Sequence, residues 1–181
     1  MMRLALIALA ATTLAACAET PLGPVGPPPG PPPSAYIPGS GAVFRARDFA
    51  WSAQPGEGSI LGSLAYRPGG VRYGCEGGDV ILTPETAWTR RRMVILYGSP
   101  AAAAVPLEIV RARTPSAPSG DYASYAKKTV CDGANHFRFD GLPDGGWFVI
   151  TLARPVGGPG EPIAVMRRVE TRGGQRIVTL N

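Results

Sequence analysis

The sequence is poor in the residues that commonly serve in acid–base and metal chemistry. Its 181 residues include one histidine and three cysteines, and charged side chains make up only 17%. A lone histidine at the start of a strand-like segment, such as His136, is more often a surface residue than a base or ligand. The motifs Gly-x-Ser-x-Gly and His-Glu-x-x-His and a phosphate-binding loop are all missing. We therefore predict a protein that is not an enzyme and uses no cofactor.

Long hydrophobic runs are also missing. The apolar stretch that follows Arg3 ends at Cys17, which is short for a membrane-spanning helix of about 20 apolar residues. One positive charge before a short apolar run is typical of a secretory signal. Residues 14–17 read LAAC and match the lipobox of bacterial lipoproteins, in which the chain is cut before the cysteine and lipid is attached to its sulfur. We predict a signal peptide over 1–16 and acyl chains on Cys17 that hold the protein stably in a bilayer. Ala18 favours the outer membrane of the cell envelope, facing the periplasm or the cell surface.

Basic residues are not concentrated on one element, although the formal net charge is +5. The one basic run is Arg90, Arg91 and Arg92. A nucleic-acid-binding protein more often groups basic residues with aromatic residues between them, so we predict no nucleic-acid partner. We interpret the run as a solvated turn between two strands. The alternative is a contact with anionic lipid headgroups or lipopolysaccharide phosphates.

Proline is distributed unevenly, since nine of the 20 prolines lie between Pro21 and Pro38. So many prolines exclude a helix or a central strand. Such chain favours an extended conformation of about 3.1 Å per residue. We therefore predict that residues 17–43 form a lipidated cysteine and a disordered spacer. The alternative is a docking segment for an aromatic groove on a partner.

Residues 44–181 consist of short apolar runs separated by glycine, proline, aspartate and serine. No window keeps helical spacing for three turns. Seven or eight short strands in such a length are typical of an antiparallel sandwich. The expected fold is thus all-β, a single antiparallel Greek-key β-sandwich. The predicted strands are Ser59–Arg67, Asp79–Pro84, Met93–Tyr97, Leu107–Arg113, His136–Phe139, Trp147–Ala153, Ile163–Glu170 and Arg176–Leu180.

Two cysteines remain when Cys17 carries lipid. An exported chain meets an oxidising compartment, so Cys75 and Cys131 are predicted to form one disulfide. Closing a loop of about 57 residues would stabilise the domain by about 4 kcal/mol in the chain-entropy model. Two thiols and one histidine do not complete a tetrahedral metal site. A calcium site at Asp132, Asp140 and Asp144 is the weaker alternative to ordinary turn chemistry, so we predict no metal.

One hairpin resembles a known family. Residues 129–149 read TVCDGANHFRFDGLPDGGWFV. This resembles the T-x-x-D-x-x-G-x-F-x-F-x-G-L-P-x-G-x-Y-x-V hairpin of carboxypeptidase regulatory-like domains, which are transthyretin-like β-sandwiches. Asn135 stands where the family usually has glycine, and Trp147 where it often has tyrosine. The resemblance covers residues 48–181 and implies a domain that supports or connects rather than catalyses. The segment FAWSA at 49–53 and the cysteine pair also resemble a group of proteobacterial lipoproteins.

These features predict a non-catalytic, membrane-anchored envelope lipoprotein that presents its β-sandwich as an interaction or structural module. The module would contact another envelope protein or stabilise the surface. A carbohydrate- or peptidoglycan-binding module is the alternative, because sugars stack on exposed indoles. Trp51 and Trp147 are expected to pack in the core or at its edge. Trp88, beyond a strand end, is the best candidate for an exposed platform, together with the basic run that follows it (Arg90, Arg91 and Arg92). A hydrolase is disfavoured because no base is evident near a nucleophile.

Overall fold

The computed structural model describes residues 43–181. The predicted signal peptide, the lipidated Cys17 and the spacer up to residue 42 lie outside the described residues. Between residues 43 and 181, no helix is both long and apolar enough to cross a membrane.

Two β-sheets form the described part of the chain. Its nine strands are β1 (Gly58–Leu64), β2 (Tyr73–Gly74), β3 (Asp79–Pro84), β4 (Ala102–Pro106), β5 (Lys127–Val130), β6 (His136–Leu142), β7 (Gly145–Pro155), β8 (Ile163–Thr171) and β9 (Gln175–Leu180). One sheet has the order β6-β1-β9, and the other has the order β4-β8-β7-β3-β5, with β2 paired to the end of β7. The all-β sandwich is therefore confirmed. Pairing is antiparallel except between β1 and β9, which run parallel.

Alternation along β7 explains how the larger sheet is covered on both faces. Trp147, Val149 and Ala153 belong to the core between the two sheets. Phe148 and the half-buried Ile150 belong to a second core on the opposite face. A strand that is buried on both faces does not alternate between apolar and polar residues as a half-exposed strand does. This explains why β7 is apolar along most of its length.

Two helices cover that second face, and both were predicted as strands. Helix α1 spans Ala87–Tyr97 and α2 spans Leu107–Arg113, so the strands predicted at Met93–Tyr97 and Leu107–Arg113 are wrong. The apolar side of α1, with Met93, Leu96 and Tyr97, packs in the second core. The gain from this tertiary packing overrides the strand preference of the run MVILY.

The ends of α1 carry ordinary helix signals. Thr86 Oγ1 accepts a hydrogen bond from the Thr89 amide at 3.1 Å, and Thr89 Oγ1 accepts one from the Thr86 amide at 2.7 Å. This reciprocal capping box satisfies amides that the helix itself leaves unpaired. The helix ends at Gly98, whose φ of 76° suits glycine at a C-terminal cap.

The hairpin between β6 and β7 folds as its sequence predicts. Phe137 and Phe139 are buried while Arg138 between them is exposed, and Leu142 is fully buried at the end of the core. Gly145 has a φ of 153°, and a Cβ on it would lie 2.4 Å from the Trp51 ring. Only glycine therefore fits at this turn.

The packing predicted for Trp51 and Trp147 is confirmed. Their ring centroids lie 4.9 Å apart in an edge-to-face arrangement. The Trp147 indole N–H donates to Thr171 Oγ1 at 3.1 Å, so this fully buried ring keeps a hydrogen-bond partner.

Candidate functional site

Trp88 does not form an exposed platform. It lies in the first turn of α1, and only 1% of its surface is exposed. Its ring centroid is 5.6 Å from that of Phe44, 6.1 Å from that of Phe49 and 5.0 Å from that of Tyr122. The prediction of an exposed indole is wrong because the preceding 3₁₀ helix (Ala46–Ala53) and the segment around Tyr122 cover it.

The three consecutive arginines do not converge on one surface either. They lie in α1 rather than in a turn, and successive helical residues point about 100° apart. Arg90 forms an ion pair with Glu85. Arg92 lies over the rings of Trp88 and Tyr122, at 5.7 and 5.3 Å, and its Nη1 donates to the Pro118 carbonyl at 2.7 Å. Arg90 and Arg92 therefore make contacts within the fold, whereas Arg91 forms no ion pair among residues 43–181.

Glu85 links α1 to the larger sheet. Its carboxylate pairs with Arg90 and also accepts hydrogen bonds from Arg168 on β8, with Nε and Nη2 each at 2.7 Å. The Glu85 side chain is only 10% exposed, and its hydrogen bond raises the pKa of Arg168. These ion pairs fix the start of the helix on the sheet, so we assign them a structural role.

The predicted disulfide between Cys75 and Cys131 is confirmed. The two cysteines are bonded, both are buried, and their Cα atoms lie 5.7 Å apart. The Gly77 amide donates to the Cys131 carbonyl at 2.9 Å, and the Cys131 amide donates to the Gly78 carbonyl at 2.9 Å. The bridge therefore joins the segment after β2 to the residue after β5 at one end of the sandwich.

A polar cavity of about 550 Å³ lies beside this bridge. Four charged side chains line it: Arg67, Arg72, Arg154 and Glu76. We call it the arginine pocket. The rest of the lining comes from the end of β1, from β2, from the loop between β5 and β6, and from the end of β7: Leu64, Gly74, Gly133, Ala134, Asn135, Pro155 and Val156.

Asn135 and Gly74 shape the wall of the arginine pocket. Asn135 has a φ of 63°, and its Oδ1 accepts a hydrogen bond from the Cys75 amide at 2.7 Å. A Cβ on Gly74 would lie 3.0 Å from that Oδ1 and 3.1 Å from a Val156 methyl group. Gly74 also stands opposite Arg154 in the pairing of β2 with β7. Its missing side chain leaves room for the Asn135 amide and the Val156 methyl group.

The arginine pocket carries excess positive charge. Three guanidinium groups and one carboxylate give a net charge of 3 − 1 = +2 for the lining. Among residues 43–181, none of the three arginines has an ion-pair partner. All three are exposed. Their hydrogen-bond donors are therefore accessible to a ligand.

A second, more apolar groove of about 440 Å³ lies between α2 and the outer face of the larger sheet. Ile81, Ile150, Leu152 and Val110 contribute to its lining, and Arg154 borders both cavities. Tyr97 lies at this groove, and burial with the nearby Tyr122 phenol raises its pKa to about 12.

The aspartates of the β6 hairpin are each used locally. Asp132 Oδ1 accepts from the amides of His136 and Ala134, which holds the pKa of that carboxyl below its usual range. Asp140 pairs with Arg138, and Asp144 accepts from the Gly173 amide at 2.6 Å. Across 43–181 no three histidine, cysteine or acidic side chains group in a way that could hold a metal ion.

The β-sandwich fold is shared with a solved structure. No family model matches the chain, and no curated protein matches it. The crystal structure of a candidate carbohydrate-binding protein from Pseudomonas aeruginosa is similar, with a TM-score of 0.55. The match covers 76% of this chain and 96% of that one, at 23% sequence identity. This likeness shows a common fold.

The residues of the arginine pocket were not singled out from the sequence. Arg67, Arg72 and Arg154 flank turns, where exposed arginine is unremarkable. Each stands alone in the sequence, whereas the three arginines of α1 are consecutive. The one local signal is Asn135, which stands at a glycine position of the hairpin pattern that residues 129–149 resemble.

Proposed function

We propose that this chain is a non-catalytic carbohydrate-binding module of the bacterial envelope that binds its glycan in the arginine pocket. The observation that carries the proposal is a concave, polar cavity with accessible hydrogen-bond donors at one end of a β-sandwich. Loops at the end of a rigid sandwich are common places for binding sites. The similar Pseudomonas aeruginosa structure, a candidate carbohydrate-binding protein, supports the same function.

The lining residues support binding rather than hydrolysis. Glycoside hydrolysis ordinarily uses two carboxyl groups on either side of the scissile bond. Glu76 is the one carboxylate among the residues that line the arginine pocket. We therefore assign Glu76 to ligand binding. The resemblance of residues 48–181 to carboxypeptidase regulatory-like domains, which support or connect, agrees with this assignment.

The envelope location rests on the N-terminal sequence. The lipobox LAAC and the proline-rich spacer after it support a lipid anchor on Cys17, with the outer membrane as its site. Replacing the cysteine (Cys17→Ser) should abolish acylation and release the protein from the membrane fraction. Ser34→Ala in the spacer is the matched control and should stay membrane-bound. Membrane fractionation with a labelled fatty acid measures both, and a Cys17→Ser protein that still carries lipid would contradict the anchor.

Glycan binding is tested with the mature full chain in detergent on an array of neutral and acidic oligosaccharides. The expected result is binding that weakens at least tenfold in Arg154→Gln, which removes a charge from the pocket. Arg176→Gln removes the same charge from β9, outside the pocket, and should bind like the parent. A chain that binds no glycan of either kind would overturn the proposed function.

A protein-interaction module is the second candidate. Leu61 and Ile177 are neighbours across the parallel pair β1–β9, and Ile177 is 80% exposed on the edge strand. An exposed apolar pair on an open sheet face is a common protein contact. Crosslinking in the native envelope should then yield a partner that is lost in Ile177→Arg but kept in Arg154→Gln.

A further inference from the structure

We infer that the ligand of the arginine pocket is an acidic sugar, one that carries a carboxylate or a phosphate beside its hydroxyl groups. This inference rests on the proposed function and goes beyond it by naming the chemical class of the glycan.

The donor balance of the pocket does not suit a neutral sugar. Every hydroxyl group both donates and accepts hydrogen bonds, so a neutral sugar needs acceptors as well as donors from its site. Arg67, Arg72 and Arg154 offer only donors. Of the side-chain acceptors in the lining, Asn135 Oδ1 already accepts from the Cys75 amide. The excess of donors is complementary to an anionic group, which only accepts.

The backbone holds the points of attachment of two of these arginines close together. The Val156 amide donates to the Arg72 carbonyl at 2.8 Å, and Gly74 pairs with Arg154 in the same ladder. The end of β7 therefore carries Arg154 beside the segment that carries Arg72. Arg67 precedes the turn at Pro68–Gly70, after which the Tyr73 amide donates to the Tyr66 carbonyl at 3.2 Å.

Fixed backbone with free side-chain ends suits recognition of an anion. Guanidinium groups bind carboxylate and phosphate with paired, charge-assisted hydrogen bonds, which are stronger than bonds between neutral groups. The arginines that serve the fold, such as Arg138 and Arg168, already have carboxylate partners. Arg67, Arg72 and Arg154 have none among residues 43–181.

Glu76 distinguishes an acidic sugar from a bare anion. Its carboxylate lies in the lining with the arginines, yet it pairs with none of them. The negative charge of Glu76 would repel a bare anion such as inorganic phosphate. A sugar hydroxyl, in contrast, can donate a hydrogen bond to the Glu76 carboxylate. We assign the arginines to the acidic group and Glu76 to a hydroxyl of the same ligand.

The test compares two pairs of ligands, one that differs in the acidic group and one that differs in the sugar. The mature full chain is titrated calorimetrically with an oligogalacturonate and with its methyl ester, and in parallel with a sugar phosphate and with inorganic phosphate. If the pocket prefers uronate, we expect the oligogalacturonate to bind at least tenfold more tightly than its methyl ester. If it prefers phosphate, we expect the sugar phosphate to bind at least tenfold more tightly than inorganic phosphate. Which of the two acids is preferred identifies the source of the anion. Binding of the preferred acid should weaken as the salt concentration increases, because the arginine side chains are solvent-exposed.

Two substitutions in the pocket and one control outside it assign the interaction to the pocket. Arg154→Gln should remove the tenfold preference for the acid, and Arg176→Gln should keep it. Glu76→Gln should tighten inorganic phosphate binding and weaken sugar binding. Unchanged circular dichroism and melting temperature show that each variant is folded.

The outcomes separate the inference from the proposed function. Equal binding of acid and ester, with both weakened by Arg154→Gln, would overturn the acidic ligand and keep the glycan site. Inorganic phosphate binding as tightly as the sugar phosphate, without any uronate binding, would overturn the sugar part of the inference. Binding of neither oligosaccharides nor sugar phosphates would overturn the proposed function itself.

Discussion

Asn135 connects the backbone conformation of one loop to the wall of the arginine pocket. Its φ of 63° lies in the left-handed region, which asparagine tolerates better than most residues other than glycine. This conformation explains why asparagine is tolerated where the hairpin pattern that residues 129–149 resemble has glycine. Its side chain adds what glycine lacks, an acceptor for the Cys75 amide at 2.7 Å. Asn135 therefore adopts the conformation that the turn requires and also pairs the backbone amide of the segment that carries the disulfide.

Two substitutions separate those contributions. Asn135→Gly keeps the left-handed backbone and loses the hydrogen bond, which should cost about 1 kcal/mol in the free energy of unfolding. Asn135→Ala loses the bond and also strains the backbone, adding a further cost of about 1 kcal/mol. Urea unfolding measures both values. If the alanine variant were as stable as the glycine variant, the conformational part of the argument would be wrong.

Tyr97 makes the stability of the fold depend on alkaline pH. Burial raises its pKa to about 12 from an ordinary value of 10.0. Between those values the unfolded chain loses the phenolic proton while the folded chain keeps it, so stability falls as pH rises through this window. The loss should approach about 2–3 kcal/mol above pH 12. Denaturant unfolding from pH 9 to 12 should show a shallower decline in Tyr97→Phe, and equal declines would contradict the assignment.

Helix α1 shows how sequence signals at the scale of an element compete. The strands β3, β7 and β8 were predicted because glycine and proline bracket runs of Val, Ile and aromatic residues. The same composition at Met93–Tyr97 predicts a strand, although the structure has a helix there. Thr86 and Gly98 carry the start and stop signals of that helix. The deciding factor is tertiary, since Met93 packs with Phe148 in the second core. That packing depends on a sheet face whose covering is not visible in the local sequence.

The capping box gives α1 its sharpest local test. Thr86→Ala removes the acceptor for the Thr89 amide and should destabilise the protein by about 1 kcal/mol. Thr179→Ala, an exposed threonine on β9, is the control and should change stability by less than about 0.5 kcal/mol. Thermal unfolding compares the two. Equal effects would mean that the cap does not matter to the fold.

The whole molecule brings together what no local pattern does. Arg67 and Arg154 are distant in sequence, and they line one cavity because β2 pairs with the end of β7 beside the disulfide. No periodicity or motif marks that convergence, so the candidate site was not predictable. The disulfide was predictable, because Cys75 and Cys131 are the two cysteines that remain once Cys17 is assigned to lipid. The sandwich was predictable from strand spacing, whereas the parallel pairing of β1 with β9 was not.

The disulfide therefore supports the fold and the site together. The double variant Cys75→Ser/Cys131→Ser leaves no free thiol at these positions. It removes a cross-link between two residues that are 56 positions apart in the sequence. It should lower the free energy of unfolding by about 4 kcal/mol in the chain-entropy model. Because Asn135 accepts from the Cys75 amide, the pocket wall should also loosen, so acidic glycan should bind more weakly even where the variant is fully folded. Calorimetric titration at low temperature measures the second effect, with Thr179→Ala as the reference. Binding equal to the parent in a folded double variant would show that the pocket does not need the bridge.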